Sequence, residues 1–214
     1  MKTLALIVRR PDLTRAEFRD HYEDVHAPLA VRTLLEGTTR YVRNHLREEL
    51  FGEPAFDVVS AFWYRDAEAA VGVMRRTETP AGDAIRADEL TFMNKPANTF
   101  FVVTEQLVQG DEQADAALAA IALVRRPAGA DAAGFASAYE KTELPRLLDA
   151  VRAPTWCLQN RALRTGGGEP AFDVVTQVHG AARGALETWA KELAATGAGV
   201  VAVTVTEHPS ALPW

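Results

Sequence analysis

A tyrosine and a histidine one helical turn apart can hold an oxygenated substrate and move a proton. The segment LTRAEFRDHYEDVHAPLA, residues 13–30, places Tyr22 and His26 four residues apart. Residues at that spacing share a helix face. Tyr22 can donate a hydrogen bond to a substrate oxygen, while an imidazole, which ordinarily titrates near neutrality, can serve as general acid or base. His21, five residues before His26, points elsewhere on a regular helix and is the third catalytic candidate. The competing reading of His26 is a polar helix end beside Pro28.

The other wall of such a site falls to strands. In FDVVSAFWY, residues 56–64, alternation sets Phe56, Val58, Ser60, Phe62 and Tyr64 on one face and Asp57, Val59, Ala61 and Trp63 on the other. Phe62 and Trp63 offer flat apolar contact for an aromatic ligand. Tyr41 and Asn44 stand in the preceding strand, where an asparagine is unfavourable without a reason. Phe92 lies in the segment Asp88–Asn98, which reads as a lid. Asp57 completes the substrate-binding candidates: its carboxylate either orients His26 or holds the adjoining turn, and the second role is favoured because its copy Asp173 has no histidine to orient.

That copy exists because the chain repeats itself. GEPAFDVV occurs at residues 52–59 and again at 168–175, and VRRP occurs at 8–11 and 124–127, both pairs 116 positions apart. Phe18, Tyr22, Glu23 and Pro28 match Phe135, Tyr139, Glu140 and Pro145 at a separation of 117. Self-similarity of this kind marks an internal duplication. Two modules follow, residues 1–109 and 115–214, with the boundary in Gln109–Ala114.

Each module reads strand, helix, strand, strand, helix, strand. In the first, Thr3–Val8 is a β-rich run, Thr14 and Glu17 form a capping box before the helix, and Tyr41–Leu46 and Ala55–Tyr64 are strands. Ala67–Arg75 is a second helix and Thr99–Gln106 a fourth strand. The second repeats this order from Leu118–Val124 to Val200–Glu207. βαββαβ is the ferredoxin-like unit. The expected fold class is α+β: two ferredoxin-like modules packed sheet to sheet as a pseudo-symmetric α/β barrel. The copies disagree where chemistry is expected: Glu143 stands for His26, Val178 for Phe62 and His179 for Trp63, so the first module is the expected seat of function.

A net charge of −6 and a pI near 5.4 argue against nucleic acid or an anionic membrane as partner. The one cysteine, Cys157, excludes an intramolecular disulfide framework and fits a reducing, cytoplasmic setting. No stretch approaches a membrane span, and MKTLALIVRR reads as a strand rather than a signal peptide. No HExxH or paired CxxC appears, TGAGV (196–200) precedes a strand instead of following one, and Gly166-Gly167-Gly168 reads as a hairpin loop. Neither a metal nor a cofactor is expected.

The strand ending in RRP, the helix segment with its aromatic followed by E-x-x-H-x-P, and FDVVSAFWY together resemble the EthD-type branch of the dimeric α/β barrel superfamily, here as a tandem duplication. The resemblance implies a cofactor-independent cyclase, dehydratase or isomerase acting on a hydrophobic aromatic or polyketide-like molecule in secondary metabolism, antibiotic biosynthesis or aromatic catabolism, with His26 as general acid/base. It leaves open a non-catalytic accessory protein that binds a pathway intermediate, a cofactor-free monooxygenase, and haem binding through His179 or His208. Two such chains could also pair as a homodimer.

Overall fold

The computed structural model describes residues 1–110, 118–152, 154–163 and 169–213. Most of the expected boundary Gln109–Ala114 and the loop Gly166-Gly167-Gly168 lie outside the described residues.

The first half begins with β1 (Lys2–Ile7), turns at the arginine pair, and enters α1 (Arg15–His21). Thr14 caps that helix: its hydroxyl accepts from the Glu17 N–H, and the Glu17 carboxylate accepts from the Thr14 N–H at 2.8 Å. The helix then leaves the regular α path. Tyr22–His26 form a π turn, with the Ala27 N–H bonded to the Tyr22 carbonyl, before α2 (Ala27–Thr33) resumes. Pro28 supplies the reason, since it has no N–H for the carbonyl four residues earlier and a longer period absorbs the mismatch. Pro145 does the same in the second half, where Tyr139–Glu143 is also a π turn.

Next come β2 (Thr38–Phe51), β3 (Val58–Tyr64), α3 (Ala67–Thr77), α4 (Pro80–Phe92), a 3₁₀ turn at Lys95–Ala97, and β4 (Thr99–Gly110). The second half runs β5 (Ala119–Arg125), α5 (Ala132–Ala138), the π turn, α6 (Leu144–Ala150), β6 (Trp156–Ala162), β7 (Val174–His179), α7 (Arg183–Ala194) and β8 (Gly199–Pro209). Among the described residues helix α4 has no counterpart there. The segment read as a lid is the last turn of α4 plus the 3₁₀ turn, so most of it is ordinary helix.

The expected pair of separate four-stranded sheets, packed face to face, is corrected by the strand order. The eight strands belong to one closed hydrogen-bonded sheet, ordered β1-β3-β2-β8-β5-β7-β6-β4. The ferredoxin-like order β4-β1-β3-β2 survives as an arc of it. A free sheet would leave edge strands with unpaired N–H and C=O groups, and closure removes those edges. The chain divides into two compact units, Met1–His45 with Ala55–Val102 and the segment from Glu207 on, and Leu46–Pro54 with Val103–Thr206. Strands β2, β4 and β8 each run from one unit into the other, a length that a duplicated motif does not announce. Among the described residues no helix is long and apolar enough to cross a membrane.

Each unit has its own apolar core between helices and strands. In the first, Ala5, Ile7, Phe18, Tyr22, Tyr41, Val58, Val73 and Ile85 pack together. In the second, Ala120, Val124, Tyr139, Val174, Leu186 and Trp189 do so. α7 and α3 begin at matching positions, which sets Trp189 where the first half has Val73. Trp189 is 2% exposed and its ring meets Tyr139 edge-on at 6.4 Å. Val73, the smaller side chain, stands at the matched position of the first half.

The doubled GEPAFDVV serves folding. Asp57 accepts from the Arg9 N–H at 2.9 Å and from its guanidinium at 3.1 Å. Asp173 likewise accepts from the Arg126 N–H at 2.8 Å and from the Arg126 side chain. Gly52 adopts φ +72°, and a Cβ there would lie 2.4 Å from the Val200 carbonyl oxygen, so no other residue fits this turn.

Candidate active site

The first unit encloses a cavity of about 400 Å³ between its helices and the helix-facing side of β1, β2 and β3. β3 presents Phe62 and Tyr64 to it, β2 presents Tyr41, and the helices present Tyr22, His26, Ala30, Val73 and Ile85. Tyr41 stacks on Phe62 at 4.5 Å and 12°, and Phe62 on Tyr64 at 6.4 Å and 12°. Three nearly parallel rings thus form one wall, a surface suited to a flat aromatic ligand.

His26 lines this cavity and is 6% exposed. Its Nδ1 lies 2.8 Å from Asp88 Oδ2 on α4. With Nδ1 committed to a carboxylate, Nε2 is the nitrogen left for a ligand, and an imidazole so held keeps one tautomer and one orientation. Burial alone would raise the Asp88 pKa, but hydrogen bonds from His26 and His21 outweigh it and hold the carboxyl below its ordinary range.

His21 departs from its expected direction. Its Nε2 lies 2.7 Å from Asp88 Oδ1, so both histidines reach one carboxylate. A regular helix would separate residues five apart, but the π turn carries a five-residue hydrogen-bond period through Tyr22–His26 and sets them on one side. Phe92 closes the group, its ring 5.0 Å from His26, 4.6 Å from His21 and 5.4 Å from Tyr22. The Tyr22 hydroxyl lies 2.9 Å from Ser60 Oγ and accepts from the Tyr41 hydroxyl at 3.3 Å. Burial raises the Tyr22 pKa against the lowering effect of the Ser60 and Tyr41 hydrogen bonds, so the phenol stays protonated and able to donate.

The structure therefore brings together Tyr22, His26, His21, Tyr41, Phe62 and Phe92. Of these, His21 and Phe92 stand behind the cavity wall, and three further sequence candidates lie apart from the group altogether. Trp63 faces the opposite side of β3, between Lys2 Nζ at 4.1 Å and the Arg40 guanidinium at 4.5 Å. Asn44 is buried and donates to the Val59 carbonyl at 2.9 Å. Asp57 holds Arg9 and, at 3.4 Å, Arg15. Asp88 was legible only as the first residue of an insertion; no spacing rule links it to a histidine 62 positions earlier.

A second charged group occupies the other side of the π turn. Glu23 accepts from His45 Nε2 at 2.6 Å and from Arg43 Nε at 3.0 Å, with His208 Nδ1 at 3.7 Å. It fixes β2 against the helix. His208 and His179 lie outside the cavity wall, His179 with its ring 4.6 Å from Trp156, so neither is placed to hold a haem there. Among the described residues no group of three or more His, Cys, Asp or Glu is arranged to hold a metal.

Residues 10–96 match the EthD domain. No curated protein matches it. Among solved structures, an anthrone oxidase-like protein aligns with TM-score 0.56 at 9% identity, covering 100% of this chain and 93% of that one. A protein of Lactobacillus acidophilus, provisionally assigned as a monooxygenase, aligns with TM-score 0.52 at 11% identity over 99% and 95%. A mutant chlorite dismutase from Candidatus Nitrospira defluvii gives TM-score 0.52 at 11% identity over 96% and 90%. At these identities the likeness is one of fold.

Proposed function

We propose that this protein is an enzyme that removes and returns a proton on a flat, oxygenated aromatic or polyketide-like molecule, with His26 as general base and acid and Asp88 as its orienting partner. One observation carries the reading: His26, anchored at Nδ1 by a carboxylate, lines the same cavity as three nearly parallel aromatic rings. Proton transfer is chemistry that side chains supply themselves, and a positioned base contributes roughly 10²–10⁴-fold.

The steps follow from the wall. The ligand lies along Tyr41, Phe62 and Tyr64 with an acidic C–H or O–H toward His26 Nε2. As that proton transfers, the imidazolium forms beside the Asp88 carboxylate, which stabilises it in a buried setting. The Tyr22 hydroxyl donates to the oxygen that gains charge. Returning the proton at another atom isomerises the ligand; returning it to a leaving hydroxyl dehydrates it; carbon–carbon closure before return cyclises it.

The test isolates the shared first step. Anthrone, a tricyclic compound with an acidic C–H flanked by rings, is incubated with the protein in deuterated buffer and isotope uptake is followed by NMR. The parent should accelerate exchange and His26→Ala should abolish the acceleration. An active His26→Ala variant would remove this mechanism. Binding without acceleration by the parent would favour an accessory protein that shelters an intermediate.

A further inference from the structure

Helix α4, which has no counterpart among the described residues of the second half, carries more than the partner of His26. Gly82 lets it lie close to α3: a Cβ there would stand 2.3 Å from the Thr77 carbonyl oxygen. With the helix so seated, Arg86 and Glu89 enter the cavity wall, joined by Lys95 from the 3₁₀ turn. Glu89 and Lys95 are paired with each other, so their charges cancel locally. Glu78 stands exposed at the mouth, beside the apolar Met74 and Phe100.

Arg86 differs from these. Its Nη2 is tethered to the exposed Asp83, whereas its Nη1 is buried and has no hydrogen-bond partner among the described residues. A buried guanidinium N–H without an acceptor is unfavourable, so an acceptor arriving in the cavity would be favoured there. An oxyanion is the acceptor that a guanidinium binds best, through short charge-assisted bonds. The surroundings set what carries that oxyanion: nearly parallel rings along one wall, with His26 in the same lining.

We infer that the ligand is an aromatic acid: a hydroxyarene or arenone bearing a carboxylate, with the carboxylate received by Arg86 and the ring along Tyr41, Phe62 and Tyr64. The orientation of the reacting end rests on the proposed role of His26. The anion preference does not, because it is read by binding alone.

The probes are 2-naphthol and 3-hydroxy-2-naphthoate, which differ by the carboxylate, titrated calorimetrically into the full chain near neutral pH. The parent should bind the naphthoate about tenfold or more tightly than the naphthol, the scale of one charge-assisted contact. Arg86→Gln should erase the difference while leaving naphthol affinity within about twofold, and Arg86→Lys should restore part of it, since lysine keeps the charge but not the fork. Equal affinities in the parent, or a preference that survives Arg86→Gln in a variant that melts like the parent, would overturn the inference. His26→Ala should keep the preference. A parent that prefers the acid yet exchanges no proton would sink the catalytic reading and leave this one standing.

Discussion

His21 and His26 share one carboxylate, Nε2 of the first at 2.7 Å and Nδ1 of the second at 2.8 Å from the two oxygens of Asp88. Only His26 is buried in the cavity wall; His21 is part-exposed. Their roles should separate accordingly. Asp88→Asn keeps the size but removes the charge and one acceptor, so the proton-exchange rate should fall by about 10²-fold with ligand affinity little changed. His21→Asn should cost only a few-fold. Calorimetry and exchange kinetics on both variants check this; an Asp88→Asn protein as fast as the parent would mean that His26 works unoriented.

The two halves also differ by one side chain at matched positions, Val73 against Trp189. Val73→Trp should fill part of the first cavity and weaken ligand binding about tenfold or more while the melting temperature holds or rises. The reverse change, Trp189→Val, opens a void in the second core and should destabilise by about 3–5 kcal/mol. Urea unfolding of both variants and titration of the first with 2-naphthol measure these outcomes.

Glu23 makes stability depend on acid. Burial opposes its ionisation, yet hydrogen bonds from His45 and Arg43 bring its pKa from the ordinary 4.5 down to about 2. A carboxyl depressed in the folded state contributes stability above its unfolded pKa and loses it as pH falls through the folded value. The contribution should therefore be intact above pH 4.5 and fade toward pH 2. Glu23→Gln should flatten that part of the curve and cost about 2 kcal/mol near neutrality, because Arg43 is left buried without its partner. Unfolding midpoints across this range in parent and variant decide it.

The helix cap is a local test of the entry to the site. Thr14→Ala removes the acceptor for the Glu17 N–H and should cost about 1 kcal/mol without altering ligand affinity. Thermal melts and naphthol titration check both parts; an unchanged melting temperature would show that tertiary packing alone holds α1.

The sequence by itself determined the duplication, the order of the strands, and the face of β3 on which Phe62 and Tyr64 stand, but not helix α4. These are local quantities: repeated letters, a capping box, a period of two. Tertiary structure decided the rest. Closure into one sheet depends on long strands pairing at their edges, which no single module encodes. The direction of His21 depends on the π turn that Pro28 induces, and a reading at the regular helical period turned it away. Asp88 meets His26, and Arg86 lines the cavity, because of where α4 packs, and contacts across 62 residues of chain follow from packing, not from spacing.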